Sequence, residues 1–475
     1  MKKLSKVLVL VLSAIMVFAM SASVFAANAT ADGKVTVSGV ESGDTVKLYQ
    51  VVEWTTNVGW TFVSPFTGLT DTQKEAVLAG NITSSLAETI AEMAPASATK
   101  TDSSATTSRE ITVDPGLYLV LVTPKESGTI YNPAFVASDY NGENTTNAIN
   151  MSTAGYGSET IMKKSTIIVT KTVDGTTAHS TDGHSLGDDL NFTISTKIPS
   201  YPANSTYATL TISDTPDGMT IDPETVVVKV GDTVVYSETV TMPTATGTVT
   251  ASGTKLVVDF AKAYILANGG KAVTVTYTAE LTTVDEEEGT AENPVVVTYN
   301  PNPFVDTTNE VRDIDEVKTY GLVFEKTDTN GVALEGAVFD LYDATGETKI
   351  TDENGYFVTA TTKVVNDHAY VYWAGLKAGT YTVKETTAPE GYMKVEDFTI
   401  TLSSTAATAD NPATTATENN YNASRTGTSA VQDPTGVDLP ATGGIGTTIF
   451  YIVGSLLVVG CGIVLVSRKR MQNNK

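Results

Sequence analysis

From Ala27 to Asp438 the chain alternates apolar and polar residues in short runs, as in Lys34–Ser38 (KVTVS), Thr225–Lys229 (TVVVK), Ala272–Tyr277 (AVTVTY) and Thr380–Lys384 (TYTVK). A period of two, carried by β-branched and aromatic residues and broken by Gly and Asp turns, predicts strands with one face buried and one wet. Many such strands at short spacing predict an all-β chain of sandwich domains. One stretch departs from the period. Thr70–Met93 opens on Thr and Asp and carries apolar positions at Ala76, Val77, Leu86, Ile90 and Met93, so one or two short helices are expected there. The Thr/Ala/Ser-rich segments 96–108 and 403–417 read as exposed loops.

Three modules follow from this pattern: 27–160, 165–315 and 320–438. The second and third open alike, with Ile167–Thr172 (IIVTKT) and Leu322–Asp328 (LVFEKTD). Each is an apolar strand with a lysine near its end, Lys171 or Lys326. A lysine that such a strand turns into an apolar core loses hydration, which favours its neutral, nucleophilic form.

The two ends carry addresses. Lys2, Lys3 and Lys6 precede an apolar run, Val7–Met20, and small residues follow up to Ala26. This is the pattern of a signal peptide, 1–26, cut after Ala26; the run is short for a membrane anchor. Near the other end, residues 445–466 lack charge and are long enough for a transmembrane helix, which needs about 20 residues. Arg468, Lys469 and Arg470 follow and are expected to stay cytoplasmic.

Charge and composition narrow the function. Acids outnumber bases 54 to 30, a net charge of −24, and neither end segment contains an acid, so their removal leaves a still more acidic chain. Such a chain repels polyphosphate, and no nucleic-acid partner is expected. One cysteine, Cys461, and three histidines exclude a disulfide framework and Cys-rich zinc sites. No cofactor or metal is expected; the acidic run 285–288 reads as a solvated loop, with cation binding as the lesser alternative. His179 and His184 lie in a Gly/Asp/Ser-rich loop and suggest no ligand cluster. No nucleophile–His–acid or paired-carboxylate signature of a hydrolase is present either, so the chain reads as a non-enzyme.

Two sets of motifs carry a resemblance. Leu439, Pro440, Ala441, Thr442 and Gly443, followed by the apolar span and basic tail, resemble the LPxTG cell-wall sorting signal of Gram-positive surface proteins (439–475). Gly331–Tyr342 and Gly379–Tyr392, the latter reading GTYTVKETTAPEGY, resemble the Cna B-type immunoglobulin-like domain and its E-box, as found in sortase-assembled pilins. Together they make the chain similar to the backbone subunit of a Gram-positive pilus. The resemblance implies tandem Cna B-type sandwiches in an elongated rod, secretion, a transient membrane anchor in the precursor, and a final place in a cell-surface pilus. It implies pilin-specific and housekeeping sortases as partners, with cleavage between Thr442 and Gly443. Identical subunits in a covalent homopolymer, minor pilins, peptidoglycan and a host- or cell-surface ligand complete the implied partners. The alternative is a monomeric, wall-anchored adhesin or pilus-base subunit.

In that family a first-strand lysine condenses with Asn or Asp on the last strand, beside a carboxylic acid, to form an intramolecular isopeptide bond. In the third module the resemblance assigns Lys326 as nucleophile, Glu385 as acid and Asp433 as acceptor, with Asn419, Asn420 and Asn422 as rivals. In the second it assigns Lys171, Asp214 and Asn293. On residue type alone, Lys326 and Glu385 read as a surface ion pair and Asp214 as a turn residue. The first module has a related strand, Asp114–Leu121, without the E-box glutamate, and no bond is expected there. The family's inter-subunit lysine maps to Lys164, with Lys163 as runner-up, in a segment lacking the family's Tyr-Pro; the plain reading of that segment is a basic linker.

Overall fold

The computed structural model describes residues 33–55, 59–138, 154–203, 205–285, 289–302, 304–351, 356–365, 367–402, 415–418 and 430–435, with isolated helical positions between 452 and 469. The signal peptide, the LPxTG residues Leu439, Pro440, Thr442 and Gly443, the rival acceptors Asn419, Asn420 and Asn422, and residues 286–288 lie outside them. The described helical positions form no helix long and apolar enough to cross a membrane. The chain divides into two units, residues 1–285 with 290–318, and residues 286–289 with 319–475.

The first unit begins with a five-stranded sheet around Thr45–Thr55 and Gly116–Thr123, which pair antiparallel. A smaller sheet places Gly33–Ser38 between Ser108–Val113 and Glu159–Ile161. The Thr70–Met93 stretch forms two helices, Asp71–Leu78 and Ser84–Glu92. Thr70 caps the first in a reciprocal capping box with Gln73, and Thr83 caps the second. Gly80 separates them at φ 74°, where an added Cβ would stand 1.6 Å from the Ala154 carbonyl oxygen. Val77, Leu86 and Ile90 pack with Tyr49, Val51 and Phe66 in one core. Segment 96–108 is not all loop, because Lys100–Asp102 pairs with Val46–Leu48.

Two stacked sheets follow in the same unit. One has five strands in the order Thr170–Val173, Asp189–Lys197, Ala272–Leu281, Met219–Val230 and Thr233–Tyr236. The other has six: Ser180–Thr181, Asn309–Lys318, Thr290–Tyr299, Leu210–Asp214, Lys255–Phe260 and Gly247–Ser252. The alternation seen in sequence becomes alternation of burial along Asp189–Lys197 and Ala272–Leu281. The helix Lys262–Asn268 has no counterpart in the sequence pattern; it buries Ile265 alone.

In the second unit Tyr320–Asp328 pairs antiparallel with His368–Leu376 and with Thr415–Glu418, and parallel with Ala430–Asp433. The low-complexity segment 403–417 thus contributes a strand at its described end. Val338–Tyr342, Gly379–Thr387 and Phe398–Leu402 pair in turn. Phe324, Phe339, Trp373 and Val383 centre the core.

Candidate functional site

In the five-stranded sheet that begins with Thr170–Val173, Lys171 lies on the edge strand and is paired opposite Ile194. Alternation turns its side chain inward, and it is fully buried together with Asp214 and Asn293 of the six-stranded sheet. Lys171 Nζ is 2.5 Å from Asp214 Oδ2. Asp214 Oδ1 accepts from the Tyr277 hydroxyl at 3.0 Å, and that hydroxyl oxygen accepts from Asn293 Nδ2 at 2.8 Å. The chain of contacts therefore runs lysine, acid, phenol, amide across the two sheets. Phe192 walls the site, its ring centroid 5.0 Å from Lys171 Nζ and stacked on Tyr277 at 5.3 Å.

Burial disfavours both charges. It pulls the Lys171 ammonium down to about 8 against the opposing field of Asp214. It also raises Asp214 and pushes Tyr277 well above the ordinary phenol range. Both shifts move the pair toward amine and acid, the forms that nucleophilic attack requires.

The second unit holds another such group. Lys326 and Asp433 are fully buried, with the Asp433 carboxylate against Lys326 Nζ. Parallel pairing aligns Lys326 with Val431, so Asp433 falls two residues on and on the same face. Lys326 Nζ also donates to the Val431 carbonyl at 3.3 Å. Glu385 lies on Gly379–Thr387, paired opposite Phe339, and is buried. Its Oε2 accepts the Val395 N–H at 2.7 Å. Burial, with the Asp433 carboxyl adding to it, raises Glu385 to about 7, although the Val395 N–H and Lys326 oppose the shift.

The two sites differ in connection. Lys326 and Asp433 stand on neighbouring strands, the first and last of their module. Asn293 is on the penultimate strand of its module and in the sheet opposite Lys171, unlike the last-strand position expected from sequence. Sequence reading also missed Tyr277 and Phe192. Tyr277 is the last residue of the AVTVTY run, and its inward parity was the available signal.

Lys164 occupies a short strand, Lys164–Thr166, paired with Thr129–Tyr131, rather than the linker expected from composition. Its ammonium pairs with the Glu41 carboxylate and remains partly exposed. Lys163 is exposed beside it, its carbonyl accepting the Asn132 N–H at 2.9 Å. The two lysines are thus at the surface, whereas Lys171, a few residues on, is in the core.

Three family models match the chain: a T6 antigen Ig-like domain over residues 29–165, the SpaA prealbumin-like fold domain over 321–417 and the LPXTG cell wall anchor motif over 432–473. With the tandem immunoglobulin-like fold, these matches make the chain an LPXTG-anchored cell-surface protein similar to the backbone subunits of sortase-assembled Gram-positive pili. Among its relatives is the trypsin-resistant surface T6 protein of Streptococcus pyogenes serotype M6, 25% identical over 444 residues, covering 74% of this chain and 79% of that one. The solved T6 backbone pilin of the same serotype superposes with a TM-score of 0.60 at 22% identity, covering 80% of this chain and 81% of its own. The major pilin SpaA of Corynebacterium diphtheriae gives 0.50 at 16% identity, over 78% and 94%.

Proposed function

We propose that this subunit has three modules, 27–160, 165–315 and 320–438, and closes an amide cross-link in each of the last two. The observation that carries the reading is the complete burial of two lysines, each against a buried acid. In the middle module Lys171 gives a proton to Asp214, and the neutral amine attacks Cγ of Asn293. A C–N bond forms, the Cγ–Nδ2 bond breaks, and ammonia leaves. In the third module Lys326 gives its proton to the Asp433 carboxylate beside it while Glu385 stays protonated; the neutral amine attacks Cγ of Asp433, the C–N bond forms, and the carboxyl oxygen leaves as water. The protonated acid polarises the acceptor carbonyl in each case. Folding supplies the proximity, so each chain reacts once at each site and no turnover follows.

Between subunits, the reading makes Thr442 the acyl donor to a sortase and Lys164 the amine that receives it, with Lys163 the alternative. Minor pilins, peptidoglycan and a surface ligand are the further partners proposed. Both lysines are exposed and lie at the end of the first module, away in sequence from the sorting signal, which supports head-to-tail growth over self-closure. Lys164→Ala, or the double variant with Lys163→Ala, is expected to leave a subunit that is exported and anchored but forms no SDS-resistant ladder. A ladder that persists in the double variant refutes the lysine assignment.

A further inference from the structure

The middle site contains a second acid that the chemistry above leaves unused. Asp315 is fully buried on Asn309–Lys318, directly opposite Asn293 in the antiparallel register. Among the described residues its Oδ2 has no hydrogen-bond partner, and neither has Asn293 Oδ1. Its Oδ1 lies 3.1 Å from Nδ1 of His179, whose side chain is half exposed. Asp313 Oδ1 stands 3.5 Å from the same ring nitrogen, while Asp313 Oδ2 accepts the Lys171 backbone N–H at 2.6 Å. His179 has φ 56°, in the left-handed region that a residue with a Cβ seldom adopts. Its carbonyl accepts the Glu316 N–H at 2.9 Å, and Ser180–Thr181 pairs parallel with Glu316–Val317. The backbone is thus tied down where the imidazole covers Asp315.

A buried carboxyl group with a vacant acceptor oxygen is costly unless a donor reaches it. The cross-link reaction produces such a donor beside it. Before reaction Lys171 carries an ammonium and Asn293 is neutral; afterwards the new amide is neutral, Asp214 passes the proton it took from the lysine to the expelled ammonia and returns to a carboxylate, and the nitrogen departs as ammonium. Asp214 and Tyr277 bridge the lysine to the amide, and Asp315 stands across the strand pair from Asn293 toward the surface histidine. We propose that Asp315 receives the departing nitrogen as ammonium and that His179 opens its way to solvent, so the pair forms the exit of the middle cross-link site. This rests on the Lys171–Asn293 bond proposed above.

The test is a time course of intact mass on the full chain made by cell-free synthesis, following the middle-module loss of about 17 Da from amine attack on an amide. Asp315→Asn is expected to slow that loss at least tenfold and His179→Ala several-fold, while the third-module loss of about 18 Da keeps its wild-type rate. Imidazole in the buffer should restore His179→Ala, which a purely structural histidine would not allow. His179→Ala changes a half-exposed side chain and keeps the test decisive if Asp315→Asn fails to fold. Wild-type rates in both variants, or no rescue by imidazole, overturn the proposal. So does peptide mapping that finds Lys171 joined to Asp315 with loss of about 18 Da. Absence of any middle-module loss in the wild type instead removes the underlying bond, and the exit with it.

Discussion

A lysine in the core of a β-sandwich loses several kcal/mol of hydration, which one contact with a carboxylate offsets only in part. Lys171 and Lys326 are both in that position, and conversion to amides would remove the charge altogether. Asp214→Ala and Glu385→Ala are each expected to abolish one bond while the module still folds. By analogy with a cross-link that closes a loop of about 100 residues, each loss should lower stability by about 4–5 kcal/mol. Calorimetry and intact mass on each variant check this; unchanged mass and melting temperature would show that the wrong acid was assigned. Glu385 also sets a pH dependence. Its pKa is raised from 4.5 to about 7 in the fold, so the protonated form is the one folding favours. Its contribution to the unlinked module is fully present below about pH 4.5 and is lost as pH rises through about 7. Third-module bond formation is accordingly expected to slow above about pH 7 where Glu385 is the proton donor, as quenched time courses across pH would record.

Strands place the reacting groups, and the two modules place them differently. The proposed Lys171–Asn293 bond would join two sheets, whereas Lys326–Asp433 would join the first and last strands of its module. Tension along the chain would enter and leave the third module through those two strands. With the bond intact the intervening segment should not extend under force. In Glu385→Ala it should release roughly 100 residues, a gain of about 350 Å at full extension, in single-molecule pulling. Equal extension in wild type and variant would contradict the bond. Strands were legible where alternation is strong: Ala272–Tyr277 reads directly as half-buried, and burial alternates along the whole of Ala272–Leu281. The helix Lys262–Asn268 was not, because a single buried Ile265 gives no periodic signal. Lys164–Thr166 was read as linker because a three-residue pairing leaves no pattern.

Across the whole chain, the sorting signal near the C-terminal end and the lysine-bearing opening strands were legible because each is a local pattern of unusual composition. The companions of Lys171 were harder to find. Asp315 sits in the charged run Arg312–Glu316 (RDIDE), which reads as a solvated face, yet parity turns its side chain inward opposite Asn293. His179 lies in a loop whose composition suggests no site, and only the fold brings it to Asp315. With a single cysteine in the entire sequence, disulfides cannot staple this extracellular protein, and the proposed amide bonds would take that place. The intact mass of the purified region 27–438 tests this most directly. A deficit of about 35 Da from the sequence mass is expected, about 17 Da as ammonia from Lys171–Asn293 and about 18 Da as water from Lys326–Asp433. A mass equal to that of the sequence would contradict both bonds.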